Sequence, residues 1–276
     1  MSALLRLVDT NCYPPNMQLL AIIQLAALAS FSYAFPAGSL SVTIPPNIQT
    51  RDCSAQISSF NAKRRVKRNL KRRTFYSNLQ NTTCIASPAT PKGSNWLSGT
   101  VVRYDVTNGQ QGVPLTLDVG VIDVTTCKPI SGALVEIWSP NAVGNYGKTF
   151  LRGAQSTDTA GIAELQTIFP GFTSGSANHI GAIVHPNWSG GNVAPSSGAA
   201  HVGRIFFTDA WTNVISQSAP YNTNPNSRMM NAQDPMFKQA NSAGYSAIVD
   251  LEEIQDDWPE GIVGYITIGV IPHTSM

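Results

Sequence analysis

An all-β fold is predicted by three observations. Short apolar segments recur from about Thr100 to the C-terminus, and clusters of Gly, Pro, Asn and Ser separate them. Leu115, Leu117, Val119 and Val121 alternate with Thr116, Asp118 and Gly120, which is the period of a half-buried strand. Only 12% of residues are charged, against 22 Gly and 18 Pro, a composition unsuited to a helical bundle.

The other strand segments follow in order. They are Ala133–Trp138, Gly161–Ile168, His179–Val184, Val202–Phe207, Ala247–Leu251 and Ile262–Val270. Seven or more short strands between turns predict a β-sandwich or barrel. Pro186–His201 and Ser216–Ala243 carry little strand pattern and are expected to be long loops or irregular cover.

The N-terminal third reads differently. Residues 1–34 are expected to be a signal peptide: MQLLAIIQLAALASFSYAF, from Met17, is apolar, short for a bilayer span, and ends in small residues. Cleavage is expected after Ala34, and Met17 offers a second start. The protein is therefore expected to be secreted or to reside in the secretory lumen, with no membrane attachment after cleavage. Residues 35–98 are expected to form a basic leader and linker, and 99–276 the β-domain. Ile57, Phe60, Val66 and Leu70 are spaced for a short amphipathic helix in that leader.

The formal charge of +2 conceals a local run. Residues 63–73, KRRVKRNLKRR, hold eight of the 18 Lys and Arg. The rest of the chain is acidic, so the charge gives no general case for a nucleic-acid partner. The run reads as a dibasic processing site, a polyanion-binding arm or a solvated helix face. Secretion favours cysteine pairing. Cys12 leaves with the signal, and Cys84–Cys127 is the expected pair of the remaining three, because Cys84 borders the domain that holds Cys127. Asn81-Thr-Thr and Asn187-Trp-Ser are glycosylation sequons.

Chemistry concentrates around three histidines. His179, His185 and His201 follow Tyr146, which sits in the glycine-flanked loop Val143–Gly147. An H-x-H pair on a strand can clasp one ion, its members about 6.6 Å apart. Here the second position is Gly181. His185 is six residues from His179, about 20 Å along an extended strand, and His201 could approach only through tertiary folding. No G-x-S-x-G elbow and no GK[ST] phosphate loop is present. Asp250, Glu252, Glu253, Asp256, Asp257 and Glu260 read as a solvated turn before the last strand.

Several segments in order resemble the secreted fungal branch of the intradiol ring-cleavage dioxygenases. They are residues 113–138, VGNY (143–146), residues 149–172, HIGAIVHPN (179–187), HVGRIFFT (201–208) and GIVGYITIGV (261–270). The resemblance implies a two-sheet β-sandwich with a ligand pocket at its edge. It also implies a ferric iron held by two tyrosines and two histidines, where catechol and dioxygen react. On this sequence the first tyrosine falls on Tyr146 and the first histidine on His179. The second tyrosine falls on Thr173, the second histidine on Gly181, and an arginine that holds the ring on Ser176.

This pattern leads to an expectation of a metal-free enzyme on the intradiol fold, with no cofactor. Tyr146 and His179 would carry acid/base chemistry, a cyclisation, rearrangement or elimination, on a phenolic or polyketide-like metabolite. Thr173, Ser176, Gly181 and His201 would line an enlarged substrate pocket. The alternatives are a non-catalytic secreted binding protein, and an Fe(III) dioxygenase with His201 or Tyr221 as substitute ligands. A homodimer is left open.

Overall fold

The structure, a computed structural model, describes residues 53–68, 90–242, 245–254 and 258–273. The expected signal peptide, Met17, Leu70, Asn81 and Cys84 lie outside these residues. Two β-sheets dominate, as the resemblance implies and as one of the two architectures left open by the residue pattern, sandwich or barrel, requires. In the first, β1 (Pro114–Asp123) is central. It runs parallel to β9 (Ile262–Val270) and antiparallel to β5 (Ile162–Ile168), with β2 (Lys128–Pro129) at its end and β8 (Asp250–Glu253) beyond β9. The second sheet has the order β4-β3-β6-β7, from Arg152–Ser156, Leu134–Trp138, His179–His185 and His201–Phe206.

Strand parity decides where each side chain goes. Leu115, Leu117, Val119 and Val121 point between the sheets and meet Val135, Ile137, Ala182 and Val184 in one buried core. The opposite face of β1 would present Asp118, Gly120 and Ile122 to water. It is covered instead by α1 (Ser54–Arg68), the helix predicted from Ile57 and Phe60. Ile57 packs with Ile122, and a Cβ at Gly120 would stand 2.4 Å from the Phe60 ring.

The basic leader is thus part of the packed fold where α1 lies. Arg64, in the run for which a solvated helix face was one of three readings, is buried and forms an ion pair with buried Asp118. Its guanidinium also donates to Asn61 Oδ1 at 3.0 Å and to Thr267 Oγ1 at 3.1 Å. Its planar fork of donors explains how one cation can sit under a helix. The expected Cys84–Cys127 pair is also corrected: Cys127 is bonded to Cys53, at the start of α1. Packing of α1 on β1 brings those two cysteines together across 74 residues, which spacing alone does not reveal.

Three further elements depart from expectation. β4 carries no apolar alternation in RGAQS, yet its backbone completes the second sheet beside β3. Asp250 and Glu252, expected in a solvated turn, are buried on β8. The irregular stretch after α2 (Asp209–Ile215) contains α3 (Pro235–Ala240), which Asp234 caps by accepting from Met236 N at 2.7 Å.

Candidate functional site

One row of side chains crosses the outer face of the second sheet. Register places Arg152 opposite Trp138, Trp138 opposite Gly181, and Gly181 opposite Arg204. Paired residues share a face, so two arginines flank an indole. The indole lies over Gly181: a Cβ there would stand 2.2 Å from Trp138 Cε2. The space expected to open at Gly181 is therefore filled by Trp138, which is itself buried.

Above this row is a cavity of about 380 Å³. Tyr146, Thr173, Ser176 and His179 all line it, together with Trp138, Arg204 and Lys92. No carboxylate is among the described residues that line it. Gly181 lies below it, under the indole. His201 is placed elsewhere, for a reason of parity: paired with Val184, it points from β7 into the core face, beside Gly203. Arg204, three residues on, points outward. His185 lies at the far end of β6, with Nε2 3.6 Å from Glu136 Oε2.

Tyr146 is held from behind by Arg152. The Arg152 guanidinium donates from Nε to Gly147 O and from Nη2 to Asn95 O, both at 2.6 Å. These carbonyls belong to the two loops that carry Tyr146 and its partner Asn95, whose side chain hydrogen-bonds the phenol. Burial raises the Tyr146 pKa above its ordinary value, against the opposing pull of Arg204, Arg152 and Asn95.

His179 is fixed through Nδ1, which donates to Ala177 O at 2.7 Å. That bond leaves Nε2 as an acceptor. Burial first, and the Arg204 charge second, push the imidazole down to about 4, so it is neutral at neutral pH. Thr173 Oγ1 and Ser176 Oγ lie 3.2 Å apart and form one hydroxyl pair.

Arg204 was missed by sequence reasoning, because a single arginine in HVGRIFF has no pattern to mark it. Burial lowers its pKa, while Asp234 and Tyr146 raise it. Asp234 is buried and accepts from Ala177 N at 2.8 Å, so its charge acts on Arg204 from beside the turn before His179. Tyr221, the other candidate substitute ligand, has its hydroxyl committed: it donates to Phe169 O at 2.7 Å and accepts from Val113 N at 2.9 Å. Among the described residues, no group of three or more His, Cys, Asp or Glu stands where it could hold a metal ion. No helix among them is long and apolar enough to cross a membrane.

The fold is that of the intradiol ring-cleavage dioxygenases. An intradiol ring-cleavage dioxygenase from Tetranychus urticae superposes with a TM-score of 0.59 at 29% identity, covering 69% of this chain and 96% of that one. A second dioxygenase structure matches with the same figures. The dioxygenase domain of a dioxygenase carbohydrate-binding protein fusion from Streptomyces sp. SirexAA-E is more distant, with a TM-score of 0.48 at 22% identity, covering 66% of this chain and 96% of that one. No protein-family model matches the chain, and no curated protein matches it by sequence.

Proposed function

We propose that this chain is a secreted enzyme on the intradiol fold that carries out metal-free acid/base chemistry on a phenolic or polyketide-like metabolite. One observation carries the reading: Tyr146 and His179 share a cavity with Arg204, over an indole that closes the position of a second histidine. The donors do not fit a ferric ion bound by two tyrosines and two histidines. Thr173 offers a neutral hydroxyl, Gly181 offers no donor, and Arg204 brings a positive charge to the place of the cation. No step is therefore routed through iron.

Trp138, nearly all of it buried over Gly181, contributes an apolar part of the cavity lining. The Tyr146 hydroxyl, un-ionised at neutral pH, can give a proton to a ligand oxygen. His179 Nε2 can take one from a ligand hydroxyl or an acidic carbon. The two transfers cancel, so a cyclisation, rearrangement or elimination needs no oxidant. Arg152 acts as a positioning residue, because it ties the Tyr146 loop to Asn95. The exposed sequon residue Asn187 is the expected glycosylation site within the described residues, and its side chain donates to Pro272 O at 2.7 Å.

A non-catalytic binding protein is the second reading, favoured by the His179 pKa near 4, which makes a weak base at neutral pH. Incubation with phenolic and polyketide-like metabolites, read by mass spectrometry for product and by calorimetry for binding, separates the two. The enzyme reading expects turnover that Tyr146→Phe and His179→Ala each reduce by about 100-fold or more. Binding without product in the wild type would establish the second reading. A coloured, iron-loaded protein from iron-supplemented cells would overturn the metal-free assignment.

A further inference from the structure

We infer that the guanidinium of Arg204, with the Lys92 ammonium beside the same cavity, supplies the positive charge that holds the ring of a bound hydroxyaromatic as its phenolate. The inference rests on the reading above that the ligand is phenolic, and it goes further by naming the ionised form that binds and the group that stabilises it.

Three independent observations lead to it. The first is charge. Arg204 and Lys92 line the cavity, and no carboxylate is among its described lining residues. An anion entering it meets the Arg204 and Lys92 charges, the first offset in part by Asp234 outside the lining, while a second cation would be repelled.

The second is placement. Arg204 stands at the end of the row Arg152–Trp138–Gly181–Arg204 and lines the cavity together with Trp138, Tyr146 and His179. The loop at Gly93 passes over it, since an added Cβ there would be 3.7 Å from Nη2. Gly93 has φ +76°, which lets that loop turn tightly above the guanidinium.

The third is a fixed counter-charge outside the cavity. Asp234 draws on the Arg204 charge, and its two oxygens are already held by Ala177 N and Met236 N. That buried, hydrogen-bonded carboxylate is not among the cavity's lining residues, so it leaves the cavity side of the guanidinium uncovered. Arg remains charged at every accessible pH. A preorganised cation in a partly water-excluded site stabilises an anionic oxygen more than the same cation in water does. Lys92 is a lesser contributor, because its ammonium already sits 4.0 Å over the Trp96 ring.

The test uses 4-nitrophenol, whose phenolate is yellow, with the chelator-treated full chain. The expected result is a fall in the ionisation midpoint of the bound probe by about one pH unit or more, a tenfold change. Arg204→Gln should abolish the shift, Arg204→Lys should keep part of it, and Lys92→Ala should reduce it less than Arg204→Gln. Wild-type protein alone gives a second measurement should Arg204→Gln fail to fold. Above the probe's own ionisation midpoint, 4-nitrophenol should bind at least about tenfold more tightly than its methyl ether, 4-nitroanisole. Equal binding of the two, or an unchanged midpoint, would overturn the proposal. A shift that needs added ferric iron would also overturn it. Turnover of a metabolite without a probe shift defeats this inference alone, whereas a probe shift without any turnover defeats the catalytic reading alone.

Discussion

The Trp138 indole occupies the place where a side chain at position 181 would stand. The pair is opposite in register across β3 and β6, so neither residue can change without the other. Gly181→Ala should therefore destabilise the protein by about 1–3 kcal/mol through overpacking. Denaturant unfolding measures it, and combination with Trp138→Ala should recover part of the loss. Placing tyrosine at 173 and histidine at 181 while Trp138 remains should give no coloured ferric protein.

Arg64 and Asp118 form a second buried pair, beneath α1. Arg64→Met leaves the Asp118 carboxylate buried without its main counter-charge, and should cost about 3–5 kcal/mol. Pairing it with Asp118→Leu should cost less than Arg64→Met alone. Chemical denaturation of the single and double variants decides this, and equal losses would mean that the ion pair is not the source.

Cys53–Cys127 fixes the start of α1 to the turn after β1. Its loss through Cys127→Ser should lower stability by about 2–5 kcal/mol, given the long segment it closes. The wild type should melt at a lower temperature under reducing conditions, and Cys127→Ser should show no such dependence.

Two buried histidines set an acid limit. His179 and His201 both have pKa values near 4 in the folded chain, against 6.5 for the free side chain. Between those values the unfolded chain binds more protons, so stability falls as pH drops from about 6.5 to about 4 and levels off below. Each histidine contributes on the order of 3 kcal/mol to that slope at most. His201→Gln should flatten the dependence without altering ligand binding, because His201 faces the core. Unfolding midpoints across that pH window are the measurement.

β1 was legible because apolar and polar or small residues alternate along it, whereas β6 and β9, buried at every position, were legible as short apolar runs between turns. β4 was not, since RGAQS joins its sheet by backbone pairing and gives no apolar rhythm. Tyr146 and His179 could be found by the family resemblance, and both line the cavity. Arg204, Trp138 and Arg152 could not, because their importance comes from register across four strands. His201 shows the opposite case: its odd separation from Arg204 puts the two on opposite faces, a fact readable once one face is known. Cys53 and Arg64 stayed hidden because their partners lie 74 and 54 residues away, brought close only by α1.

The bond between Cys53 and Cys127 also bears on maturation. The basic stretch continues to Arg73, between α1 and the first described residue of the β-domain. A processing protease cutting at Lys71-Arg72-Arg73 would sever the backbone yet release nothing. The product would be a two-chain molecule, its helix carried as a tethered light chain and its site left intact.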